Sequence, residues 1–166
     1  LEASSAASDV YKRQTFTLSD NVENLTLYGS SDIDGVGNDL ANTIRGNSGD
    51  NELNGDSGSD FLYGNNGNDT LNGGDGTDNL YGNNGNDTLN GGNNNDNLYG
   101  GDGDDTLNGN GDIDTMYGGD GNDTYVVNHT SDEVTESSSS GGTDLIRSTV
   151  SYTASNYVEN LTLIGN

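Results

Sequence analysis

The chain has no cysteine, so it carries neither a disulfide framework nor a thiolate metal site. Proline is also absent, which by itself excludes nothing. Basic residues are scarce: four Lys and Arg stand against 28 Asp and Glu, a formal net charge of −24. Phosphate binding needs basic residues, so nucleic acid is excluded as a partner. An anionic membrane surface would repel the chain. Apolar residues are scarce too, at 27%. No run approaches the roughly 18 apolar residues that span a bilayer, so direct membrane insertion is not expected. No signal peptide is visible at the start. So little apolar material, with 27 glycines, would ordinarily describe a disordered chain.

What the sequence does have is a period. From Gly46 to Val126 it repeats every nine residues without insertion or deletion, in blocks opening at Gly46, Gly55, Gly64, Gly73, Gly82, Gly91, Gly100, Gly109 and Gly118. Position 6 is Asp in eight blocks and Asn51 in the first. Position 8 is apolar throughout: Leu53, Leu62, Leu71, Leu80, Leu89, Leu98, Leu107, Met116 and Tyr125. A weaker block, Gly37 to Arg45, precedes them in register, with Asn42 at position 6 and Ile44 at position 8. Repeated short units need only one apolar ladder per sheet, so a stacked solenoid removes the objection from composition.

Position 9 alternates Asn and Tyr from Asn54 to Tyr117, which gives a second period of 18 residues. Two nonapeptides therefore make one coil with two chemically different sheets. In a three-residue strand, positions 7 and 9 share the outer face and position 8 points inward. One outer face then carries Thr70, Asn72, Thr88, Asn90, Thr106 and Asn108. The other carries a ladder of Tyr63, Tyr81, Tyr99 and Tyr117, spaced by roughly 4.8 Å.

The block Gly73-Gly74-Asp75-Gly76-Thr77-Asp78-Asn79-Leu80-Tyr81 resembles the nonapeptide G-G-x-G-x-D-x-U-x of the calcium-binding repeat-in-toxin (RTX) family, with U a large apolar residue. The resemblance covers about half the chain and implies a parallel β-roll that binds Ca²⁺. It further implies export from a bacterium by type I secretion, an unfolded state in low cytosolic calcium, and folding outside the cell. A secreted or cell-surface location is expected on the same ground.

The chemistry of the loop agrees with that resemblance. Glycines at positions 1, 2 and 4 permit backbone conformations closed to other residues. Asn94 and Asp112, which replace glycine at position 4, belong to the residue types that best tolerate them. A loop of this kind turns several carbonyls toward one point. Ca²⁺ takes six to eight oxygens, mixing carboxylates and carbonyls, whereas Mg²⁺ prefers a rigid octahedron that keeps its waters. Two loops on successive coils can supply the set where one Asp cannot. The candidate ligands are Asn51, Asp60, Asp69, Asp78, Asp87, Asp96, Asp105, Asp114 and Asp123, with the loop glycines Gly64, Gly67, Gly73, Gly74, Gly76, Gly82, Gly85, Gly100, Gly101 and Gly103. One edge stacks Asn51, Asp69, Asp87, Asp105 and Asp123; the other stacks Asp60, Asp78, Asp96 and Asp114. Five loops enclose four sites and four enclose three, so seven calcium ions are expected, or eight if Asn42 extends the second edge. Sites that use Asn51 or Asn42 have one charge fewer and should bind more weakly. Asp and Gly are also ordinary turn residues, but a turn does not require Asp at position 6 in eight blocks of nine.

Residues 1–14 share none of these patterns and are expected to be foreign to the fold. Residues 15–45 read as a β flank containing the degenerate block, and 127–166 as a second β flank with a flexible loop at Ser137 to Gly142. Val22-Glu23-Asn24-Leu25-Thr26-Leu27 recurs 136 residues later as Val158-Glu159-Asn160-Leu161-Thr162-Leu163. The second copy opens a further unit, and with Leu1 in place of Met it points to a larger parent protein with neighbouring repeat units. Gly55-Asp56-Ser57-Gly58 imitates a serine-protease nucleophile segment, but it lies in nonapeptide register. His129 is the only histidine and is expected at the surface. The expected function is a calcium-binding structural module rather than an enzyme. The alternative is an adhesin module whose tyrosine face binds a glycan by stacking, or whose Thr/Asn face binds ice. The competing reading of the tyrosines is cross-strand packing that stabilises the sheet.

Overall fold

The computed structural model describes residues 14–136 and 141–165. Among them every regular element is a strand, and no helix is long and apolar enough to cross a membrane. The strands are β1 (Gln14–Thr17), β2 (Asn24–Thr26), β3 (Ile33–Asn38), β4 (Thr43–Arg45), β5 (Glu52–Ser57), β6 (Phe61–Asn66), β7 (Thr70–Asp75) and β8 (Asn79–Asn84). They continue as β9 (Thr88–Asn93), β10 (Asn97–Asp102), β11 (Thr106–Asn110), β12 (Thr115–Asp120), β13 (Thr124–Val127), β14 (Glu133–Thr135), β15 (Leu145–Ser148) and β16 (Asn160–Leu163).

From β1 to β15 successive strands alternate between two parallel sheets, as an 18-residue coil requires, and β16 then pairs beside β15 in the same sheet. One sheet runs β1-β3-β5-β7-β9-β11-β13-β15-β16 and the other β14-β12-β10-β8-β6-β4-β2. Register is in phase with the repeat: Leu71 pairs with Leu53 and Leu89, and Leu80 with Leu62 and Leu98. The expected all-β parallel roll is therefore the observed fold. Gln14 opens β1 and so belongs to the roll; residues 1–13 and most of the expected flexible loop, 137–140, lie outside the described residues.

Position 8 points inward in every block. All nine of its side chains, from Leu53 to Tyr125, are fully buried, and Ile44, Val134 and Ile146 extend the same ladder into the flanks. The strands are longer than the three residues expected, because positions 2 and 3 also pair with the next coil. Residues 127–135 form one more block in register, with Asp132 at position 6 and Val134 at position 8. The flanks are thus further turns of the same winding. The recurrent hexapeptide joins it too: the Glu23 carbonyl accepts the Thr43 N–H at 2.7 Å, as the Asn51 carbonyl accepts that of Thr70 at 2.8 Å.

The tyrosine ladder forms as expected. Ring centroids of Tyr63, Tyr81, Tyr99 and Tyr117 are 4.8 to 4.9 Å apart with their planes nearly parallel, and the Arg45 guanidinium closes the stack 4.0 Å above Tyr63. On the opposite face the Asn90 amide donates to Asn72 Oδ1 at 3.0 Å. Replacing Tyr81 and Tyr99 together with Thr removes all three stacked pairs and should cost about 1–3 kcal/mol of calcium-loaded stability. Replacing Asn72 and Asn90 with Thr should cost less, since Thr suits a strand better than Asn. Thermal melts in saturating Ca²⁺ check the ranking; a larger loss from the Asn pair would contradict it.

Candidate metal centre

Each turn of the roll must reverse the chain in the few residues between strands. Positions 2 and 4 do this by adopting positive φ. Gly74 and Gly101 do so at position 2, alongside Asp56, Asn65 and Asn83. Gly67, Gly76, Gly85 and Gly103 do so at position 4, alongside Asn94 and Asp112. This bears out the conformational expectation at those two positions, and Asn and Asp substitute there because they tolerate the left-handed region.

Position 1 needs glycine for a different reason, and here the conformational expectation is corrected. Gly64, Gly73, Gly82 and Gly100 do not have positive φ. A Cβ on any of them would come closer than 3.0 Å to Oδ2 of the position 6 Asp of its own block and to the position 1 carbonyl of the next coil. At Gly73 these two oxygens belong to Asp78 and Gly91; at Gly82 they belong to Asp87 and Gly100. Glycine is present because two oxygens from adjacent coils converge on its Cα.

The position 6 carboxylates are the centre of the arrangement. Asp60, Asp69, Asp78, Asp87, Asp96, Asp105, Asp114 and Asp123 are all buried. Their Oδ1 atoms are used structurally: each accepts the backbone N–H of the position 6 residue one coil earlier. Asp69 N–H donates to Asp87 Oδ1 at 2.7 Å, Asp87 N–H to Asp105 Oδ1 at 2.7 Å, and Asp78 N–H to Asp96 Oδ1 at 2.8 Å. The Oδ2 atoms of Asp60, Asp78, Asp87, Asp96, Asp105, Asp114 and Asp123 are buried with no hydrogen-bond partner. Leaving a buried polar oxygen unsatisfied is costly, and more so when it is charged.

The electrostatics record that cost. Burial first, and repulsion from neighbouring carboxylates after it, push Asp60 and Asp114 up to about 6 and Asp96 and Asp105 to about 8, against the lowering effect of the backbone N–H each accepts. Burial likewise raises Asp87 to about 6 and Asp123 to about 7. Asp78 rises for the same leading reason.

Asn42 and Asn51 occupy position 6 without the problem. Asn51 Oδ1 accepts the Asn47 N–H at 2.8 Å, and its amide donates to the Ile33 carbonyl at 2.7 Å and to Asn47 Oδ1 at 3.1 Å. Asn42 is held in the same way by Asn38. Both have their side-chain oxygens engaged, which ranks the sites they border lowest.

Sequence reasoning missed part of the stack. Asp132 extends one edge, its Oδ1 accepting the Asp114 N–H at 3.2 Å; the exact 18-residue spacing from Asp114 was the available signal. Asp144 extends the other, accepting the Asp123 N–H at 2.9 Å, and Glu159 accepts that of Asp144 at 2.9 Å. An insertion breaks the spacing before Asp144, so no period could reveal it. Position 5 forms a second ladder, in which Asp50, Asn68, Asn86 and Asp104 each accept a backbone N–H from the following coil. Position 3 stays outside: Asp75 is exposed. His129 is exposed, as expected.

The residues therefore fit a hard cation. The orphaned Oδ2 atoms, their convergence with position 1 carbonyls, and the all-oxygen donor set are what Ca²⁺ requires. Calcium, when bound, supplies positive charge to those oxygens; the chain supplies position 6 carboxylates and loop carbonyls from two coils at a time. Fold and site together define a cation-binding parallel β-roll. A model of the RTX calcium-binding nonapeptide repeat matches the chain in four copies, at residues 36–71, 63–98, 72–107 and 99–127. These matches span more than half of the 166 residues, and the chain belongs to the RTX calcium-binding nonapeptide repeat family. No curated protein matches the chain.

Two predictions follow from the stack. Asp87→Ala should remove about two bound ions, because Asp87 borders two coil junctions and ligand charge sets affinity. Asp75→Ala should remove none. Calorimetric stoichiometry checks this, and equal losses would refute the register. The second concerns pH. The folded carboxylates titrate above the ordinary value of 3.8, so the calcium-free roll holds more protons than the unfolded chain. Stability then falls as pH rises through the folded values of about 6 to 8. Without calcium, β signal should be stronger at about pH 5 than at about pH 8. A flat or reversed profile would contradict the buried carboxylates.

Proposed function

We propose that this chain is a calcium-triggered folding module of a larger secreted bacterial protein, and that it binds and supports rather than catalyses. The observation that carries the proposal is the row of buried Asp Oδ2 atoms without hydrogen-bond partners. At neutral pH those oxygens oppose the coiled state unless a cation neutralises them. The core that opposes unfolding is a single ladder of inward side chains, small against the conformational entropy of ordering so many residues. Binding free energy that exists only in the folded state is folding free energy.

That coupling makes calcium concentration the control. In low cytosolic calcium the chain stays open, a state suited to passage through a type I secretion channel, and outside the cell it winds. Family membership supports this route. The recurrence of the hexapeptide at Val22 and Val158 supports neighbouring units of the same design in the parent. The tyrosine rings lie face to face along their ladder, which supports internal packing in preference to a glycan or ice ligand.

Circular dichroism in a calcium titration at neutral pH tests the proposal. The chain should pass from coil to β on adding Ca²⁺ and return with a chelator. A full β signal in excess chelator would overturn obligatory coupling.

A further inference from the structure

The C-terminal end of the roll holds a cluster that the nonapeptide pattern does not describe. β14 ends at Thr135, in register with Tyr117. The next residue, Glu136, therefore takes the place that Gly118 and every other position 1 glycine holds in the array. In those blocks a side chain at position 1 would collide with the position 6 carboxylate. Here the block is longer: Asp144, its position 6 residue, follows Glu136 by eight residues, whereas Asp123 follows Gly118 by five. The position that glycine holds in the array is here taken by a third carboxylate.

That carboxylate points into the roll. Glu136 is buried and accepts the hydrogen bond of the Tyr125 hydroxyl. Tyr125 is itself a departure, the one position 8 side chain of the array that carries a polar group. Carboxylate oxygens of Asp123, Glu136 and Asp144 lie within 4.8 Å of one another, and all three residues are buried. A second observation shows that the cluster lacks a component. Asp123 is completely buried and its Oδ2 has no hydrogen-bond partner. That oxygen and the Tyr125 hydroxyl would both collide with a single Cβ built on Gly118. The orphaned oxygen thus faces the Tyr125–Glu136 pair.

We propose that Asp123, Glu136 and Asp144 form a separate calcium site that closes the C-terminal end of the array, built from three carboxylates instead of a glycine loop. The site rests on the calcium-binding function proposed above and shares Asp123 with the array, but Glu136 and Asp144 are ligands of its own, since they fall beyond the matched repeats, which end at residue 127. Hard oxygen donors suit Ca²⁺, and affinity rises with the number of charged ligands. Three carboxylates should therefore hold the ion more tightly than the two that successive array blocks offer. Glu136 also lines an open cleft of about 520 Å³ with Asp132, Val134, Tyr152 and Ser155.

Equilibrium dialysis of the whole chain against calcium, wild type beside Glu136→Gln, tests the site. The variant should bind one ion fewer, with the tightest binding step lost and the β signal in saturating calcium retained. An unchanged count with an unchanged tightest step would overturn the site while leaving the array intact. No calcium uptake by the wild type would overturn both. A crystal structure of the calcium-loaded wild type decides the matter even if the variant fails to fold. It should show an ion held by all three carboxylates at about 2.3–2.6 Å. Ions along the array with none among these three residues would overturn the site.

Discussion

A buried carboxylate with one oxygen satisfied and the other left over is the constraint on which the rest of this roll depends. At position 6 of each coil, Oδ1 ties the backbone of one turn to the next, which forces the side chain inside. In seven of these blocks, those of Asp60, Asp78, Asp87, Asp96, Asp105, Asp114 and Asp123, Oδ2 is then carried into a place where the protein offers no donor. Glycine at position 1 follows, because that oxygen and a neighbouring carbonyl crowd its Cα. Residues tolerant of positive φ at positions 2 and 4 follow from the turn that brings the loop round. The apolar ladder at position 8 packs the coils against one another.

The chain contains its own control for this view. Asn42 and Asn51 stand in the same place as the aspartates, in the same register, yet their amides donate to carbonyls or to a neighbouring Asn and their oxygens accept a backbone N–H. Where the charge is removed, hydrogen bonds close the loop. Where it is kept, at Asp60, Asp78, Asp87, Asp96, Asp105, Asp114 and Asp123, the same loop leaves one carboxylate oxygen without a donor. The difference between an amide and a carboxylate at one position separates a self-sufficient turn from a cation site.

Most of this architecture was legible because it is periodic. Leu71, Leu89 and Leu107 announce the inner ladder, and the alternation of Asn72 with Tyr81 announces two sheets and an 18-residue coil. The reason for glycine at position 1 was not legible, since a collision with the next coil depends on three-dimensional stacking. Nor was the full extent of the winding: Val127 in place of glycine hides a block whose Asp132 and Val134 keep register. Asp144 was hidden more deeply, by an insertion that destroys spacing while hydrogen bonding to Asp123 preserves the stack. Periodicity reveals what repeats; the end of the array is where the chain stops repeating.

We propose that calcium, rather than the apolar ladder, holds the coils closed at neutral pH. Residue-resolved amide hydrogen exchange tests it most directly, at the Asp69, Asp87 and Asp105 N–H groups that donate across coils. These amides should be protected together in saturating calcium and should lose protection together when a chelator is added. Persistent protection of the same amides in excess chelator at neutral pH would contradict the account, because it would show the roll standing with its carboxylates unneutralised.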